Sequence, residues 1–126
     1  MKLDPSSPLP LHVQIRDLLL LRIARGELAP GGRLPTVRQL AVDLAVNSNT
    51  VARVYADLEQ KGFVTTRRGG GTFVREGGPP RAAPARDRRL ESLCRSFAVQ
   101  CLREGFTLAE ARRALRGLAV PPQEEP

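Results

Sequence analysis

The stretch Thr36-Val37-Arg38-Gln39-Leu40-Ala41-Val42-Asp43-Leu44-Ala45-Val46-Asn47-Ser48-Asn49-Thr50-Val51-Ala52-Arg53-Val54-Tyr55-Ala56-Asp57-Leu58 decides the fold, because it contains two helix beginnings close together. Thr36 followed three residues later by Gln39 is a capping box, in which each side chain satisfies a backbone N–H that the first turn leaves without a partner. Val37, Leu40, Ala41 and Leu44 then repeat at helical spacing and make one apolar stripe. Asn47 is a good N-cap for a second helix, and Val46 before it can staple against Val51. Val51, Val54, Tyr55 and Leu58 form the inward stripe of that helix, and Lys61-Gly62 ends it. Only Ala45-Val46-Asn47 separates the two helices, so they must cross steeply, as in a helix-turn-helix. Such a unit presents the first turn of its second helix outward, and what stands there is Asn47, Ser48, Asn49 and Thr50, with Arg53 one turn on. Short hydrogen-bonding side chains plus an Arg suit base edges and phosphates.

The flanking sequence completes the unit. Upstream, Leu11, Ile15, Leu18, Leu19 and Ile23 mark one face of a helix that Gly26 and Pro30-Gly31-Gly32 bring to an end. Downstream, Phe63-Val64-Thr65-Thr66 and Thr72-Phe73-Val74 are β-prone runs around Arg67-Arg68-Gly69-Gly70-Gly71, a hairpin with a basic, Gly-rich tip. Three glycines there allow close backbone approach to a phosphate or a groove edge. Arg38 lies near a helix N-terminus, where a cation opposes the macrodipole, so a phosphate contact explains it better than stability does. The residues expected to face DNA are Arg33, Thr36, Arg38, Asn47, Ser48, Asn49, Thr50, Arg53, Arg67, Arg68, Gly69, Gly70 and Thr72. His12, the single histidine, reads as a packing or surface residue of the first helix.

Charge agrees with a polyanionic partner without proving one. The 126 residues carry 20 Lys and Arg against 13 Asp and Glu, a net +7, and every base except Lys2 and Lys61 is Arg. Arg offers a planar fork of donors that matches phosphates and guanine edges. No apolar run approaches the roughly 20 residues that cross a bilayer, and Met1-Lys2 leads straight into Asp4-Pro5, so the expected location is cytoplasmic. Cys94 and Cys101 have neither CxxC spacing nor a nearby His, so no metal and no structural disulfide is expected. A Ser/His/Asp set, a phosphate-loop lysine and a paired-carboxylate cleft are all missing, which argues against an enzyme.

The chain divides into residues 1–76 as a DNA-binding domain, 77–86 as a Gly- and Pro-rich linker, and 87–126 as a C-terminal helical segment with a disordered tail. In the last part Leu90, Leu93, Cys94, Phe97, Ala98, Cys101 and Leu102 make one stripe, and Thr107-Leu108-Ala109-Glu110 caps a further helix with Leu108, Ala111, Leu115 and Leu118 inward. Two short helices cannot enclose a core alone. Leu90, Leu93, Cys94, Phe97, Cys101, Leu108 and Leu115 are therefore expected to form a homodimer interface. The expected fold class is mainly α with a small β-hairpin: a winged helix-turn-helix followed by a short helical dimerisation segment. No cofactor is expected, and nothing points to a small-molecule effector, although the interface leaves room for one.

Pro30-Gly31-Gly32-Arg33-Leu34-Pro35-Thr36-Val37-Arg38-Gln39-Leu40-Ala41, Asn49-Thr50-Val51-Ala52-Arg53-Val54-Tyr55, Gly62-Phe63-Val64 and Arg68-Gly69-Gly70-Gly71-Thr72-Phe73-Val74 resemble the GntR family of bacterial regulators. Val-Ala-Arg-Val-Tyr and the short C-terminal segment are similar to its YtrA subfamily. The resemblance implies dimerisation. It also implies that Arg33 and Arg38 grip phosphate or base, that Asn47, Asn49, Thr50 and Arg53 act from the recognition helix, and that Arg68 and Gly69 sit on the wing. Two departures stand out: Ser48 where such proteins often carry Pro, and Ala45 where Gly is common. A positive φ at Ala45 would cost on the order of 1 kcal/mol. The expected activity is that of a repressor on double-stranded DNA, a dimer reading an inverted repeat with its recognition helices in major grooves about one DNA turn or more apart. The competing reading, a winged helix used for RNA or protein contact, predicts binding that ignores palindromic symmetry.

Overall fold

The computed structural model describes residues 3–77 and 83–119. The elements run α1 Leu11–Ala24, α2 Val37–Leu44, α3 Ser48–Gln60, β1 Val64–Arg67, β2 Gly71–Val74, α4 Ala83–Arg103 and α5 Leu108–Leu118. They fall into two compact units, Met1–Pro79 and Pro80–Pro126. The first is a winged helix-turn-helix.

Its core comes from the periodic positions. Ile15 and Leu19 of α1, Leu40 and Ala41 of α2, Val51, Val54, Tyr55 and Leu58 of α3, and Val64 and Val74 of the hairpin are all buried, together with Leu34. Leu11, Leu18 and Ile23 stop short of this: Leu11 is 40% exposed, and Leu18 and Ile23 are half-buried. Each fully buried large side chain contributes about 1.5–3 kcal/mol, so α1 is held mainly by Ile15 and Leu19.

α2 begins as expected. The Thr36 hydroxyl accepts from the Gln39 N–H at 3.1 Å and the Gln39 amide oxygen accepts from the Thr36 N–H at 3.0 Å. The turn to α3 requires Ala45 to adopt φ 56°, ψ 46°, the left-handed region where its methyl is strained. Tyr55 ties α3 back to the segment ahead of α2: its hydroxyl donates to the Pro35 carbonyl at 2.6 Å.

The hairpin pairs antiparallel with Val64 opposite Val74, Thr65 opposite Phe73, Thr66 opposite Thr72 and Arg67 opposite Gly71. Arg67 and Gly71, assigned to the tip by sequence, are thus ladder residues, and the tip proper is Arg68-Gly69-Gly70. Neither residue is β-prone; their place is set by the partner strand. Phe63 precedes the ladder, its N–H donating to the Leu58 carbonyl at 2.9 Å. The segment before α2 adds a third, short edge. Gly31 N–H donates to Val74 O at 2.9 Å, Val74 N–H to Gly32 O at 2.8 Å and Leu34 N–H to Thr72 O at 2.8 Å.

The second unit consists of α4 and α5. α4 starts at Ala83, inside the stretch 77–86 read as linker; Pro84 stands in its first turn, where the missing N–H has no partner to lose. Residues 78–82 of that stretch, and the tail 120–126, lie outside the described residues. α5 carries the expected capping box, with Thr107 Oγ1 accepting from Glu110 N–H at 3.1 Å. Among the described residues of this unit only Ala111 is buried, while Leu90, Leu93, Phe97, Leu102, Leu108, Leu115 and Leu118 remain exposed.

Candidate nucleic-acid interface

α3 divides its faces cleanly. Val51, Val54, Tyr55 and Leu58 are buried, while Ser48, Asn49, Ala52, Arg53 and Ala56 are exposed. At about 100° per residue, Asn49, Arg53, Ala56 and Gln60 lie along the outermost strip, with Ala52 to one side of it. Thr50 is half-buried at the edge of that face. Asn47 is the N-cap: its side-chain oxygen accepts from the Asn49 N–H at 2.8 Å. That oxygen is therefore committed to the helix, and only the amide nitrogen of Asn47 is left to donate outward. Thr36 accepts the Gln39 N–H on its hydroxyl oxygen in the capping box of α2, which leaves its O–H free to donate, and it is exposed.

Arg38 is exposed in the first turn of α2, which has no acidic residue to offset the helix dipole. Arg33 and the hairpin belong together. Arg33 pairs with Phe73 in a single antiparallel bridge, and a Cβ added to Gly71 (φ 93°) would come within 2.9 Å of the Arg33 Nε. Glycine at this position therefore makes room for the Arg33 guanidinium against the strand. Arg67 lies over the Phe73 ring, 4.1 Å from its centre, which directs it along the hairpin face. Arg68 and Gly69 (φ 70°) are exposed at the tip, Gly70 is half-buried, and Thr72 is half-buried with its carbonyl bound to Leu34. Thr66 of β1 hydrogen-bonds Glu59 of α3, joining the wing to that helix.

The segment ahead of α2 is tied to α3 through Tyr55 and Pro35 and to β2 through Leu34 and Thr72, and the wing is tied to α3 through Thr66 and Glu59. The first unit offers amide and hydroxyl donors on a helix crest and several fixed-charge guanidinium groups on α2 and the wing. Sequence reading missed two neighbours of α3: His12 of α1 lines the surface beside Asn49, Thr50 and Arg53, and Arg16 lines it beside Arg53 and Asp57. Their i, i+4 spacing, at the edge of the face that Ile15 and Leu19 bury, was the available signal. Among the described residues no group of His, Cys, Asp or Glu could hold a metal ion, and no helix is long and apolar enough to cross a membrane.

Residues 11–74, α1 through the wing, match the family described as bacterial regulatory proteins, gntR family. The chain belongs to the gntR family. Within it the chain is YtrA-like: it is 39% identical over 75 residues to the HTH-type transcriptional repressor YtrA of Bacillus subtilis, covering 60% of this chain and 58% of that one. It is 48% identical over 67 residues, 53% of this chain and 55% of the other, to YhcF of the same organism, an uncharacterized HTH-type transcriptional regulator. The chain therefore spans little more than half the length of these relatives. The structure of YtrA from Sulfolobus acidocaldarius, a GntR-family transcription factor, superposes with a TM-score of 0.58 at 33% identity, over 77% of this chain and 96% of that one. The DNA-binding domain of AraR, solved in complex with operator ORE1, superposes with a TM-score of 0.52 at 29% identity, over 57% of this chain and 88% of that one.

Proposed function

We propose that this gntR-family chain is a sequence-specific DNA-binding transcriptional regulator, acting as a repressor, that reads an inverted-repeat operator as a homodimer in the cytoplasm. The observation that carries the reading is the split face of α3. One side, Val51, Val54, Tyr55 and Leu58, is buried, and the other presents Ser48, Asn49 and Arg53, with Arg38 exposed on α2 and Arg67 and Arg68 exposed on the wing. A helix so divided fits a major groove, with its outer residues on base edges and the surrounding guanidinium groups on phosphates. The AraR DNA-binding domain bound to its operator supports DNA as the partner, and the repressor named YtrA supports repression.

The dimer rests on the second unit. Its apolar side chains have nothing in the chain's own α4–α5 pair to bury them, and a second copy offers the same stripe to an isologous contact. Leu90, Leu93, Cys94, Phe97, Cys101, Leu108 and Leu115 supply it. Two recognition helices related by a two-fold axis would then meet half-sites about one DNA turn or more apart.

Two substitutions test the recognition surface by binding to a selected operator and to unrelated duplex. Arg53→Ala should cost about 1–3 kcal/mol on the operator and reduce discrimination. Arg38→Ala should weaken all DNA alike and lower the salt slope by about 1. If both variants bind like the parent chain, this surface is not the one that touches DNA.

A further inference from the structure

His12 and Arg16 of α1 stand along the flank of α3 that faces away from the wing. Two surface depressions meet there. One, of about 360 Å³, is lined by His12 and Arg16 of α1 together with Arg53, Asp57, Gln60 and Lys61. The other is lined by Leu11 and His12 with Asn49, Thr50 and Arg53. His12 and Arg53 belong to both, so the α1 side chains adjoin the residues proposed to read bases.

The side of α3 matters. At about 100° per residue, Arg53 and Asp57 step from the outer crest toward one flank. Glu59, which bonds Thr66 of β1, lies roughly 120° from Arg53 on the wing flank, with Asn49, Ala52 and Ala56 between them. A helix about 10–12 Å across fills a major groove about 12 Å wide, so a sugar-phosphate strand runs along each of its flanks. The wing flank already carries Arg33, Arg67 and Arg68. The strand on the other flank would pass the cleft between α1 and α3.

We infer that His12 and Arg16 form a second phosphate-holding edge, which grips the backbone strand opposite the one met by the wing. The inference rests on the reading that α3 enters the major groove. Charges of both signs face the cleft. Arg16 is paired with the adjacent Asp17 at 3.2 Å, and Asp57 with Lys61 at 3.1 Å. Both pairs are partly exposed, and surface pairs of this kind are weak enough to exchange for a phosphate. A phosphodiester in the cleft takes donors from the imidazole and from the Arg16 guanidinium, while Asp57 holds Lys61 against α3. Contacts of this class carry no sequence information and fix the register of the helix on the duplex.

The test uses the full chain and a labelled 30-bp duplex of arbitrary sequence, with affinity followed by anisotropy across a salt series. Each phosphate contact contributes about 0.9 to the slope of log affinity against log salt. The His12→Gln/Arg16→Gln variant, with an unchanged melting transition, should show a slope shallower by about 1, the cation lost with Arg16. Its preference for operator over arbitrary duplex should be retained. His12→Lys, which places a fixed cation in the cleft, should steepen the slope by about 1. A slope equal to the parent's in both variants overturns the inference while leaving the α3 reading standing, provided Arg38→Ala still weakens binding. A parent chain that binds no duplex overturns both.

Discussion

Tyr55 is the chain's one tyrosine, and there is no tryptophan, so its ionisation can be followed alone by phenolate absorbance. Burial pushes its hydroxyl up to about 12, with Arg22 pulling slightly the other way. Because the folded value lies above the unfolded value of 10.0, the associated stability is complete below pH 10 and is lost as pH rises toward 12. The loss is on the order of 2 kcal/mol. Tyr55→Phe should remove this alkaline component from a stability-versus-pH curve, while losing about 1 kcal/mol at neutral pH with the bond to Pro35. A parent phenolate that titrates near pH 10 in the folded state would contradict the buried, bonded hydroxyl. Tyr55 was legible in the sequence only as an apolar position; its bond to Pro35 joins residues 20 apart and no local pattern encodes it.

At the scale of elements, helix starts read best because their chemistry is local. Thr36 with Gln39 and Thr107 with Glu110 declare themselves by side chains that bond within one turn. Asn47 also declared itself, yet sequence gave it two roles at once, cap and DNA donor. The cap takes its oxygen, which separates the roles by substitution. Asn47→Ala should destabilise the chain by about 1 kcal/mol in denaturant unfolding. Asn47→Asp should keep that stability, because a carboxylate caps as well, while losing the amide donor and with it part of any operator affinity. An Asn47→Ala variant as stable as the parent would contradict the cap. The wing was harder to delimit. Arg67 and Gly71 pair because Val64–Thr66 and Thr72–Val74 set the register, and the Gly31–Leu34 edge joins β2 across a sequence separation that propensity does not reach. The polar stripe of α1 was passed over for a related reason: His12 gains its meaning only from Arg53, which α1·α3 packing brings alongside.

For the whole molecule, the two units differ in kind. The first owns a core drawn from every one of its elements, whereas among the described residues of the second only Ala111 is buried. An apolar stripe at steps of four, three and four was visible in the sequence; what covers it is a matter between molecules. If a second copy covers it, Phe97→Glu should convert a dimer into a monomer in sedimentation, with the melting of the first unit unchanged; a parent chain that sediments as a monomer, or a variant that stays dimeric, would contradict that. A dimer in turn makes the DNA symmetric. The most direct measurement is selection of bound duplexes from a random-sequence pool, read for symmetry and spacing. The account predicts an enriched inverted repeat whose half-sites are about one helical turn or more apart. Enrichment of a single unsymmetric motif, or no enrichment at all, would contradict it.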